Sequence, residues 1–116
     1  MANKKTNILA GIDAKAANLA QLIDYSSDSV VSKILLDKPV GSITLFAFDK
    51  GQRLSTHSAP FDAVVQIVDG EALISIDEDE HVVTAGEIII MPADIPHALY
   101  ANNKFKMLLT MIKSKD

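Results

Sequence analysis

Two histidines, His57 and His97, are the residues of this chain best placed to do chemistry. Each lies six or more residues beyond a glycine that opens its segment, Gly51 for His57 and Gly86 for His97. Imidazole titrates near neutral pH, so a convergent pair could serve as acid and base. The same pair could hold one divalent transition metal, Zn, Ni, Fe, Mn or Cu. In a third reading each ring is partly buried and satisfied by backbone or water. The remaining histidine, His81, follows the acidic run Asp77–Glu80, where a solvated hairpin turn is favoured over a surface cation site. The chain has no cysteine, which excludes a disulfide framework, a thiolate zinc site and a cysteine nucleophile. No Ser-His-Asp set and no glycine-rich phosphate loop is visible.

The histidines need a scaffold. The chain has 116 residues, 48% of them hydrophobic, enough for one domain with a real core. A formal net charge of -4 argues against a nucleic-acid partner, which normally calls for a basic stripe. No run approaches the roughly 18 apolar residues of a membrane span. The short apolar patch near the N-terminus does not read as a secretory signal, so a cytoplasmic address is the default.

Residues 1–28 read as a loose arm followed by one short helix. Asp13 is its expected N-cap, and Ala16, Leu19, Ala20 and Ile23 fall on one helical face, which predicts a helix over Ala14–Ile23. Residues 29–116 change to β character. About nine short strands with turn signals between them predict an all-β sandwich or barrel. Asp69-Gly70 is expected to be a hairpin turn.

Strand alternation then gives a pocket. If His57 points inward, so do Ser55 and Ala59. On the following strand Ala63, Val65 and Ile67 share that face, while Val64, Gln66 and Val68 point out. The predicted pocket is lined by His57, Ala59, Ala63, Val65 and His97, and such a mostly apolar space suits a small-molecule ligand. Asp62 or Gln66 could add a third metal ligand, although alternation turns both away from it. Phe61 could plug the pocket mouth or act as a lid. Pro92 and Pro96 stiffen the turn before His97. The segments 88–91 and 107–112 are apolar on both faces, which predicts that a second copy covers part of the outside, as a homodimer.

The two glycine-led segments resemble the paired motifs of the cupin superfamily, small jelly-roll β-barrels. The first family motif runs Gly, five residues, His-x-His, three or four residues, Glu, six residues, Gly. Gly51, His57 and Gly70 fit it, with Ala59 at the second His position and Ala63 at the Glu position. The second runs Gly, five residues, Pro-x-Gly, two residues, His, three residues, Asn. Gly86, Pro92 and His97 fit, with Asp94 at the Gly position and Ala101 at the Asn position. The resemblance covers about Ser29 to Lys113 and implies a cupin-type jelly-roll barrel with one short N-terminal helix. It also implies a metal site in which only His57 and His97 of the usual ligands survive. Three functions stay open: a small-molecule-binding cupin, a metal-dependent enzyme of oxygenase or isomerase type, and a structural or interaction module.

Overall fold

The computed structural model describes residues 11–113. Of the expected arm, which runs from Met1 to Gly11, residues 1–10 lie outside them. Eight strands follow in order: β1 (Val30–Lys38), β2 (Gly41–Phe48), β3 (Arg53–His57), β4 (Asp62–Ile76), β5 (Asp79–Thr84), β6 (Ile88–Met91), β7 (His97–Tyr100) and β8 (Phe105–Ile112). All pairings are antiparallel, and the sheet curls in the order β1-β2-β8-β4-β7-β3, with β5 and β6 also paired to β4.

The long strand β4 belongs to both halves of this half-barrel. Its first part pairs with β8 and β6, and its last part with β5 and β7. Two strands were expected here, separated by a hairpin at Asp69-Gly70. The chain instead keeps going through a bulge between Ile67 and Asp69. A bulge adds one unpaired residue and sharpens the local bend. Gly70 has φ 73, and a Cβ there would run into the carbonyl oxygen of Lys104. The Asp-Gly signal is thus a bend signal, and it serves to turn one strand from one half into the other.

The inner faces of both halves form one core. Phe48, Val65, Ile67, Ile74, Phe105 and Met107 are almost fully buried there, each contributing on the order of 1.5–3 kcal/mol of transfer free energy. Phe48 and Phe105 stack with centroids 4.5 Å apart and rings 13° from parallel. The burial of Ala63, Val65 and Ile67 against the exposure of Gln66 follows the alternation read from the sequence.

The predicted helix over Ala14–Ile23 is absent. Only a three-residue 3-10 turn forms, Leu19–Gln21, and its cap is Asn18, whose side chain accepts from the amide of Ala20 at 3.1 Å. Ala14 takes φ 58, which a right-handed helix forbids. A helix this short is marginal without a partner, and the segment gains more by spreading. Leu19, Leu22, Ile23 and Tyr25 pack on the outer face of β1, β2 and β8 against Leu35, Leu45 and Ala47. Two lysines hold it there: Lys106 Nζ donates to the Ala20 carbonyl at 2.5 Å, and Lys33 Nζ to that of Leu22 at 2.8 Å. The Tyr25 hydroxyl donates to Asp69 at 2.5 Å, and burial together with that carboxylate pushes the phenol's pKa up. None of the helices among the described residues is long and apolar enough to cross a membrane.

Candidate functional site

Strands β3 and β7 bring the two histidines together. They pair antiparallel with His57 opposite His97, after an irregularity between Leu54 and His57. Directly opposite residues carry their side chains on one face, and here the rings meet edge to face with centroids 4.4 Å apart. His97 is 5% exposed, while His57 closes the site on its solvent side.

The hydrogen bonds fix which nitrogen of each ring carries hydrogen. His57 Nδ1 lies 2.7 Å from the Ser55 carbonyl oxygen, and His97 Nδ1 lies 3.2 Å from that of Ile95. A carbonyl oxygen only accepts, so both Nδ1 atoms are donors. In the neutral rings both Nε2 atoms are therefore bare, and they face each other at 3.2 Å. Two lone pairs at that distance repel unless something positive or a hydrogen-bond donor lies between them. The pair suits a shared proton, a metal ion, or the O–H or N–H of a ligand. Burial, and secondarily the neighbouring His57, hold the His97 pKa below the ordinary imidazole value, with the Ile95 carbonyl opposing the shift.

Two loops position the rings. The Asp94 amide donates to the Ala59 carbonyl at 2.7 Å, and the Ala93 amide to Asp62 Oδ1 at 2.8 Å. Asp94 sits at φ 67, a left-handed conformation that Asp tolerates better than most residues. This accounts for a residue standing in for glycine there. Asp62 thus serves the loop and is not turned toward the histidines as a third ligand. Gln66 is exposed on the outer face. Among the described residues, no group of three or more His, Cys, Asp and Glu side chains converges in a way that could hold a metal ion.

Behind the rings lies a cavity of about 120 Å³ lined by Leu54, His57, Ala59, Ala63, Met91, His97, Leu99, Met107, Leu109 and Met111. Four of the five predicted pocket residues line it. The fifth, Val65, is fully buried in the core and does not. Phe61 is half-buried and is not part of the lining, and His81 is exposed on β5. The sequence reading missed the three methionines. The alternation of Met107, Leu109 and Met111 against Lys106 and Thr110 along β8 was the signal that could have placed Met107 and Met111 inside. For Met91, β6 is apolar on both faces, and its register was needed to choose between them.

The sequence pattern of the cupin domain family matches residues 44–113. A conserved protein of unknown function from Streptococcus pyogenes is 40% identical over 98% of this chain and all of its own, with a TM-score of 0.90. A cupin 2 conserved barrel domain protein from Leptotrichia buccalis is 41% identical over 84% of this chain; the match spans 47% of that protein, with a TM-score of 0.81. A cupin superfamily protein from Desulfitobacterium hafniense is 26% identical over 97% of this chain and all of its own, with a TM-score of 0.84. No functionally curated protein matches.

Proposed function

Because the chain belongs to the cupin superfamily and keeps only two of that family's usual ligands, we propose that it binds one compact small molecule at His57 and His97. The cavity carries this reading. Its lining is apolar apart from two imidazoles, at one place. An engineered apolar cavity of about 150 Å³ takes benzene, so about 120 Å³ suits an apolar body of roughly six non-hydrogen atoms. A hydroxyl, amine or azole N–H on that body would donate to the bare Nε2 atoms, and a carboxylate would pair with a protonated ring. Saturation-transfer NMR with isobutanol, isobutyrate and pyrrole tests this on the parent and on Ala63→Leu, which fills the cavity. Binding to the parent that is lost in a folded Ala63→Leu supports the proposal. Equal binding by both, or none by the parent, refutes it.

A metal centre is the second reading, favoured by the ring geometry. A metal-bound histidine usually donates its other ring N–H to a carbonyl or carboxylate, as both do here. Two nitrogens on one tetrahedral ion stand about 3.3 Å apart, close to the observed 3.2 Å. Bound there, a divalent ion would supply Lewis-acid chemistry. The donor set falls short of it, however, since catalytic zinc sites ordinarily take three protein ligands and, among the described residues, no carboxylate lines the cavity.

The same proposal includes a homodimer. Ile88 and Ile90 on β6 and Ile112 on β8 are about half exposed, and strand register sets Ile90 beside Val64 and Thr110 on one outer face. Sedimentation equilibrium should give twice the chain mass, and Ile90→Lys should return it to the monomer.

A further inference from the structure

We propose that the mouth of the cavity is a soft-metal site, taking one monovalent copper ion on His57, His97 and the thioethers of Met91 and Met111. This goes beyond small-molecule binding and rests on the two-imidazole reading of the rings. Strand register supplies the first argument. Ala63 on β4 pairs with Met91 on one side and Met111 on the other. Three neighbouring strands thus present methionine, alanine and methionine in one row, and all three side chains line the cavity that holds both histidines. Strands lie about 4.8 Å apart, so two long, unbranched side chains flank a methyl group that donates nothing. Met side chains are flexible enough to reach into such a gap.

Charge supplies the second argument. Among the described residues, no carboxylate lines the cavity. A divalent ion would bring two uncompensated charges into an apolar space, and burying unpaired charge is costly. A monovalent ion brings one. Softness supplies the third. Thioether and imidazole donors together select Cu(I), whereas hard divalent ions prefer oxygen. Two nitrogens and two sulfurs complete a four-donor set without a carboxylate. The ion and a compact organic molecule would compete for this space.

Cu(I), delivered anaerobically with a reductant, is titrated in competition with bathocuproine disulfonate, and Zn(II) is titrated in parallel. Ag(I) serves as a redox-inert stand-in while the methionine methyl groups are followed by ¹³C NMR. One equivalent of Cu(I) should bind at least 100-fold more tightly than Zn(II), and Ag(I) should shift the Met91 and Met111 methyl signals. Met91→Leu/Met111→Leu, a volume-conserving change, should weaken Cu(I) at least tenfold and leave any Zn(II) binding unchanged. The inference is overturned if the folded leucine variant binds Cu(I) like the parent, or if the methyl signals do not move. In those cases Cu(I) binding that is lost in His57→Ala/His97→Ala would still uphold the two-imidazole reading. Absence of Cu(I) binding by the parent overturns the inference, while the small-molecule reading stands or falls on its own saturation-transfer test.

Discussion

The amide of Asp94 donates to the carbonyl of Ala59 at 2.7 Å, and this bond ties the loop after His57 to the loop before His97. A second bond on the same loop, from the Ala93 amide to Asp62 Oδ1 at 2.8 Å, runs from the start of β4. Together they turn two flexible connections into one frame around the rings.

Asp62→Ala removes that carboxylate without touching either imidazole. A hydrogen bond to a charged group contributes about 1.5–3 kcal/mol, and solvent exposure at Asp62 lowers the expected loss to about 1 kcal/mol. Urea unfolding should show that loss. Amide exchange should quicken at Ala93 while staying slow at Ile67 in the core. Unchanged exchange at Ala93 would show that the carboxylate does not hold the loop.

The lowered His97 pKa has a definite sign. The folded state resists the proton that the unfolded chain accepts at about 6.5. Stability from this group is full above that value and is lost as pH falls through the folded pKa. Each unit of depression is worth about 1.4 kcal/mol. Parent protein should therefore lose stability more steeply between pH 7 and 5 than His97→Gln. His57→Ala should raise the His97 pKa, since it removes the like charge and opens the ring to water. Parallel stability curves for parent and His97→Gln would contradict the assignment.

Gly70 tests the bend in β4. Its φ of 73 and the carbonyl of Lys104 pressed against it leave no room for a methyl group. Gly70→Ala should cost at least about 1–3 kcal/mol, seen as a lower urea midpoint. Gly51→Ala, with the same sign of φ but nothing within 4 Å of the added carbon, should cost less. Equal losses would mean that backbone conformation alone matters at both positions.

Much of this was legible from residue order. The glycine-led segments placed His57 and His97 near each other, and period-two alternation put Ala59 and Ala63 beside them. That signal is strong where one face is polar, as at Gln66. On β8 the signal was present but unread, since Lys106 and Thr110 alternate with Met107, Leu109 and Met111. It fails on β6, whose two faces are both apolar, and so Met91 stayed hidden. The Ala14–Ile23 periodicity misled for a related reason. Apolar spacing shows which residues seek burial, but Leu22 and Tyr25 find it in an irregular strap held by Lys33 and Lys106. Asp69-Gly70 carried the right conformational message and the wrong topology, because positive φ serves a bulge as well as a hairpin.

The central claim is that both rings hold hydrogen on Nδ1 and aim bare Nε2 atoms at one point. Long-range ¹H–¹⁵N NMR of the histidine side chains, recorded above the titration range, reads this directly. The account predicts Nδ1–H tautomers for both His57 and His97, with both Nε2 signals moving together when an occupant is added. An Nε2–H tautomer at either ring, or Nε2 signals that respond separately, would contradict it.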